Sequence, residues 1–246
     1  MVTGGFGWAL RMPVRTVDIV AEFRDENGDE LRSFDSIHHR NERLVGLADV
    51  LIEGLYVHRW KGEGVQNWLN LKLGIDVPTG NIEPDPYVLG ANGESHQHVF
   101  FGSGTFDPSL DVSWGGQTTT YIWSVSARAD KALYENKYGY EKGLNVETAL
   151  AGGYRPNAQW LFMGSAELFH DAPSKWSGRP ARNSGSTGVS IGTQISYAFD
   201  TDRRLSFGVE RPFVLVNREG TLEIPIVIRL GFVQQWQGEV KAPAKP

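Results

Sequence analysis

The sequence predicts an all-β fold: one antiparallel, up-and-down transmembrane β-barrel of about 10–12 strands. Three observations predict it. Long and short connections alternate along the chain, the segments between them alternate apolar and polar residues, and aromatic residues flank the short turns. The short turns are Lys61–Gln66, Gly115–Thr119, Arg155–Ala158 and Asp200–Arg203. The long connections are Arg24–Leu44, Pro78–Gly104, Glu135–Gly143 and Asp171–Thr187. In membrane barrels, short turns gather at one rim, long loops at the other, and aromatic girdles mark both interfaces.

About ten strands are expected, near 7–23, 46–59, 66–77, 105–114, 119–133, 143–155, 158–169, 188–199, 203–216 and 222–235. The first contains Pro13, which has no N–H for a sheet ladder, so a bulge or break is expected there. The second has a mixed face, on which Asp49 and Glu53 are assigned inward. The third sets Leu69, Leu71, Leu73, Ile75 and Val77 against Asn70, Lys72 and Asp76. The fifth sets Tyr121, Trp123, Val125 and Ala127 against Ser124, Ser126, Arg128 and Asp130. The sixth sets Leu144, Val146, Leu150 and Tyr154 against Asn145, Glu147 and Arg155. In the eighth, Val189, Ile191, Ile195, Tyr197 and Phe199 oppose Ser190, Gly192, Gln194, Ser196 and Ala198. In the ninth, Leu205, Phe207, Val209, Phe213 and Leu215 share one face, broken by Arg211, opposite Ser206, Gly208 and Glu210. Period two follows from the pleat, which sends successive side chains to opposite faces.

Alternation alone fits a soluble sandwich as well, with its polar face outside. The aromatic pairs favour the membrane: Trp60 and Trp68, Trp114 and Tyr121, and Tyr154 and Trp160 bracket three short turns, as headgroup-level anchors do. The chain holds 246 residues, 29 glycines, 8 tryptophans and no cysteine, with a net charge of −5. Absent cysteine excludes a disulfide scaffold and thiol catalysis, and no basic stripe suggests nucleic acid. No apolar run reaches the ~18 residues of a spanning helix. A mean hydropathy of −0.32 does not argue against a barrel, because only every second strand residue meets lipid. The opening residues Met1–Trp8 lack the features of an export signal, so the chain is expected to be N-terminally truncated, with two further strands making about twelve. Residues 1–236 are expected to form one domain, and 237–246 a disordered tail.

Several stretches together resemble a known family. LGIDVPTG at 73–80, GSGTFDP at 102–108, ERPF at 210–213 and RLGF at 229–232 are similar, in order and spacing, to the bacterial transporter-like outer-membrane family named for the meta-pathway of phenol degradation. The resemblance covers about residues 45–236. It implies residence in a Gram-negative outer membrane and passage of small solutes, with aromatic hydrocarbons suggested by the family's name. Two departures stand out. Gln234 occupies a position where the barrel-assembly signal of a last strand carries an aromatic, and residues follow Trp236.

Inward-pointing charges form the candidate lumen lining: Arg11, Arg15, Asp49, Glu53, Lys72, Asp76, Asp107, Asp111, Arg128, Asp130, Glu147, Arg155, Glu167 and Glu210. Such a set either selects ions or fills a narrow barrel with paired charges. A twelve-stranded barrel has a Cα radius of roughly 12 Å, so the lumen passes small solutes at most. Acids outnumber bases in this set, which predicts cation preference. A second constellation is His38 and His39 in the first long loop with His96 and His98 in the second, accompanied by acidic residues, a pattern open to metal binding or to loop–loop hydrogen bonding. No catalytic elbow of the G-x-S-x-G type occurs, and His170, Ser165 and Glu167 on one strand do not share a face. The expectation is therefore a channel without enzymatic activity or cofactor. Its partners would be outer-membrane lipid, the barrel-assembly machinery and a small-molecule permeant. The alternatives are a non-conducting barrel whose loops bind a metal or partner, and a soluble β protein holding an apolar ligand.

Overall fold

A computed structural model describes residues 2–20, 24–31, 41–182, 184–217 and 226–234. Ten strands form one sheet in which every neighbouring pair is antiparallel. In chain order the elements are β1 (Val2–Arg11), β2 (Val14–Ile19), β3 (Glu42–Leu47), β4 (Val50–Gly62), β5 (Val65–Val77), α1 (Pro86–Ala91), β6 (Asp107–Gln117), β7 (Tyr121–Asp130), β8 (Tyr140–Glu141), β9 (Asn145–Tyr154), β10 (Trp160–Asp171), β11 (Lys175–Trp176), β12 (Arg179–Pro180), β13 (Ser186–Ala198), β14 (Arg203–Asn217) and β15 (Val227–Gln234). The large sheet runs β1-β4-β5-β6-β7-β9-β10-β13-β14-β15, a pure meander. Among the described residues, β1 and β15 are each paired on one side only, so the sheet is not closed.

The expected break at Pro13 is present and is matched on the partner strand. Past Met12-Pro13 the chain re-forms as β2, which pairs with β3, while Ala48 and Asp49 interrupt the partner. The Ala48 amide donates to Pro13 O at 2.9 Å, which seals the junction between this two-stranded ribbon and the main sheet. Asp49, assigned to a strand from its sequence, therefore sits at a break.

Each short turn has a local cause. Gly62 pairs with Val65, and Gly64 takes φ +74, a conformation that favours glycine in a tight hairpin. At the next short turn the Thr118 hydroxyl accepts from the amides of Thr120 and Tyr121. Asn157 Oδ1 accepts from Gln159 and Trp160, and Asp200 Oδ1 from Asp202 and Arg203. Side chains that mimic backbone acceptors are the reason Asx and Thr residues close turns. The Arg203 guanidinium on Asp200 holds that carboxyl below its ordinary range, with the Asp202 amide adding to the effect.

Burial is inverted relative to a soluble protein. The apolar faces are exposed: Leu73 at 63%, with Leu150, Leu168, Ile191 and Leu215 in the same condition. The buried residues on the other face include Glu53, Asp107, Asp130 and Ser190. A soluble sandwich puts these faces the other way round. At the short-turn end the outer face carries touching aromatics: Trp114 on Trp123, Tyr121 beside Tyr154, and Trp160 against Tyr197. Trp68 departs from the expected girdle. It stands opposite Gly115, where a Cβ would lie 2.4 Å from its ring, so it turns inward over a position that must lack a side chain. Arg211, which breaks an outer apolar face, lies with its guanidinium 5.0 Å from the Phe213 ring centre.

Candidate functional site

The concave side of the sheet carries the charges. Directly opposed residues on antiparallel neighbours face the same way, and the register places Lys72 opposite Asp111, Asp111 opposite Arg128, and Arg128 opposite Glu147. Four adjacent strands thus carry one row of alternating sign. Lys72 Nζ lies 3.2 Å from Asp111 Oδ2 within it. One row toward the long-loop end, Glu53 is 5% exposed and reaches both Arg11, at 3.7 Å, and Arg128, at 3.8 Å. Asp130, in register with Ser109 and Asn145, pairs with Arg128 at 3.8 Å and with Lys142.

At the long-loop end Asp76 and Asp107 are directly opposed. Asp107 is 1% exposed and accepts a hydrogen bond from the Thr105 hydroxyl. These two carboxylates line a cavity of about 400 Å³ together with Arg11, Arg15, Arg128, Asp130, Lys142 and the loop residues Phe100–Ser103. Lys142 comes from the β8–β9 connection. Burial pulls its ammonium toward neutrality, but the hydrogen bond it donates to Asp130 and the fields of Asp130, Asp107 and Asp76 outweigh it and raise its pKa above the ordinary lysine value.

The remaining lining candidates fall into three groups. Glu167 stands opposite Ser190 on the concave side. Glu210 accepts from the Ser190 hydroxyl and pairs with Arg229 at 2.7 Å. Arg155 lies just past β9, in a short turn, where its backbone amide donates to Thr120 O. Arg15 is on the β2–β3 ribbon, beyond the main sheet, and reaches only the mouth cavity. Asp49 also lines that cavity, yet its carboxylate accepts from Gly80 N, Ser103 N and Ser103 Oγ, so it holds a loop in place. Sequence reasoning missed Lys142 and Arg229. Arg229 shows in the period of the last strand, two residues before Gly231 on the same face; Lys142 carries no pattern, because it reaches the site from a loop.

The connection that carries His96 and His98 meets the start of β3: Gln97 Nε2 donates to Glu42 Oε2 at 2.8 Å. His96 Nε2 is 3.1 Å from His98 Nε2, and His96 Nδ1 is 2.8 Å from Glu94 O. His38 and His39 lie outside the described residues. Among the described residues no group of three or more His, Asp or Glu side chains is placed to hold a metal ion. His170 is on the outer face, where it meets the Thr187 hydroxyl, while Ser165 and Glu167 are on the concave one.

Comparison with known proteins agrees with this architecture. The chain resembles the crystal structure of an outer membrane channel from Pseudomonas putida F1, with a TM-score of 0.59 at 12% identity. The match covers 77% of this chain and 66% of that channel, so the chain spans just under two thirds of the channel's length. At that identity the likeness shows the shared fold. No curated protein matches the chain. A family model matches residues 4–219, most of the described sheet. On that match the chain belongs to the family described as "Putative MetA-pathway of phenol degradation".

Proposed function

We propose that this chain forms the wall of an outer-membrane channel that passes small solutes, aromatic ones among them, through a charge-lined lumen. The observation that carries the reading is the inverted burial: Leu73 and its outward neighbours face the surroundings while Glu53, Asp107 and Asp130 are buried on the concave side. An apolar exterior of this extent is stable in lipid and unstable in water. In a bilayer the free edges of β1 and β15 are closed, against each other or through further strands, because an unpaired backbone group in hydrocarbon costs several kcal/mol. The short turns then face the periplasm and the long connections the exterior. The aromatic preference rests on the family's description alone.

The alternating row from Lys72 to Glu147 favours a second reading, an interior sealed by its own ion pairs. Current across a planar bilayer after adding detergent-refolded protein separates the two. Discrete conductance steps support the channel. Silence from protein shown to be inserted, with a heat-modifiable gel band, that persists when the long connections are altered refutes it in favour of the sealed barrel. Liposome swelling with phenol against a sugar of similar size tests the solute class. Equal rates would remove the aromatic preference and leave a general small-solute pore.

A further inference from the structure

The connection between β5 and β6 is a strap across the long-loop end. Its two ends are pinched together. A Cβ on Gly80 would lie 2.5 Å from Phe101 O, and one on Gly102 would lie 2.6 Å from Asp49 Oδ1. Asp49 clasps both ends, accepting from Gly80 N at 2.9 Å, Ser103 N at 2.8 Å and Ser103 Oγ at 3.2 Å. Thr79 adds a donated bond to Ala48 O and an accepted one from Val50 N. The neck is therefore fixed to the break between the β2–β3 ribbon and β4.

The far part of the strap reaches the opposite side. Asp85 caps α1 through Tyr87 N, and Pro86 begins the helix. The Tyr87 hydroxyl donates to Arg182 O at 3.4 Å, and the Arg182 guanidinium lies 5.8 Å from the Tyr87 ring centre. Arg182 belongs to the connection between β10 and β13. In the sheet, β6, β7 and β9 stand between β5 and β10, so a connection that touches both sides spans the concave mouth. Its returning limb, Phe100–Ser103, closes over the cavity that holds Asp76, Asp107 and Lys142.

We propose that this connection gates the channel, hinged at the Asp49 clasp and latched where Tyr87 meets Arg182. The inference rests on the channel reading above. The neck is held by several short hydrogen bonds and two close-packed glycines, and Gln97 ties the strap to Glu42 at the start of β3, on the neck's side of the mouth; across the mouth, Tyr87 meets Arg182 through one long hydrogen bond and a cation–π contact. Opening therefore swings the Tyr87 end and leaves the neck in place.

Single-channel recording of three proteins tests it: the wild-type chain, Tyr87→Ala, and a Tyr87→Cys/Arg182→Cys pair bridged by a short bis-maleimide, in a chain with no other cysteine. A heat-modifiable band confirms that each is folded; both positions lie outside the large sheet. Tyr87→Ala is expected to raise the mean current about two-fold or more, and the bridge to suppress it. A silent wild type with a conducting Tyr87→Ala also supports the gate. If the wild type conducts and neither change alters its current, the gate is overturned and the channel reading stands. Silence from all three after confirmed insertion overturns the channel reading, and the gate with it.

Discussion

Glu53 Oε1 lies 3.8 Å from Arg128 Nη1, although their strands β4 and β7 are separated by β5 and β6. In a flat sheet those strands stand about 14 Å apart, at roughly 4.8 Å per step. Long side chains leaning toward each other close part of that gap, and curling of the sheet toward its charged face closes the rest. Opposite Glu53, Gly74 presents no side chain, and a Cβ there would lie 3.1 Å from Glu53 Cγ and 2.5 Å from Ser109 Oγ. The glycine gives the carboxylate room to lie across the interior.

Glu53→Gln removes the charge that Arg11 and Arg128 share. Arg128 keeps Asp130 and Glu147 nearby, and both ion pairs to Glu53 are long, so the loss is expected to be about 1–3 kcal/mol, below that of a fully buried pair broken from one side. Urea unfolding in detergent micelles, followed by tryptophan fluorescence, measures it. A change indistinguishable from zero would mean that Glu53 does not hold the curl.

Asp111→Asn unbalances the alternating row by leaving Lys72 and Arg128 facing a neutral amide. The wild-type channel is expected to prefer cations, since acids outnumber bases on the concave side, and the variant to shift toward anions. Reversal potentials in a salt gradient read this directly. An anion-selective wild type would contradict the assignment of these charges to the permeation path.

Leu73→Arg places a charge on the outer face near the middle of β5. At a bilayer midplane such a change costs about 2–4 kcal/mol, falling toward zero at the interfaces. Refolding into liposomes is expected to be impaired, while Asn70→Arg, on the concave face three residues earlier, is expected to refold nearly as the wild type. Equal behaviour of the two variants would argue against an outer face in lipid.

Lys142 gives a pH signature. Its folded pKa is raised by Asp130 and the other carboxylates against the pull of burial. Its contribution to stability is therefore fully present below the unfolded lysine value of about 10.4 and is lost as pH rises through the higher folded value. The side chain is 34% exposed, so solvent screening limits that contribution to about 1 kcal/mol or less. An alkaline stability series on the wild type and Lys142→Met is expected to show a steeper decline in the wild type. Parallel curves would show that the ion pair to Asp130 contributes nothing.

The sequence by itself determined the strands, their faces and their turns, because each is set by neighbours along the chain. Period two assigns Leu73 and Lys72 to opposite sides, Gly64, Asn157 and Asp200 close their turns, and Pro13 breaks the first strand as expected. It also fixed the family. Register across a short turn is nearly legible too: the few residues from Gln117 to Tyr121 leave little choice but Asp111 opposite Arg128. Register across a long connection is not, since many loop paths join the same strand ends. The pairings of Lys72 with Asp111 and of Arg128 with Glu147 belong to that class, and so the alternating row emerges only in the folded sheet. The same reason hid the role of Asp49, the descent of Lys142 to Asp130, and the strap from β5 to Arg182. Each depends on where a long loop returns, which is decided by contacts between distant segments and leaves no periodic trace in the chain.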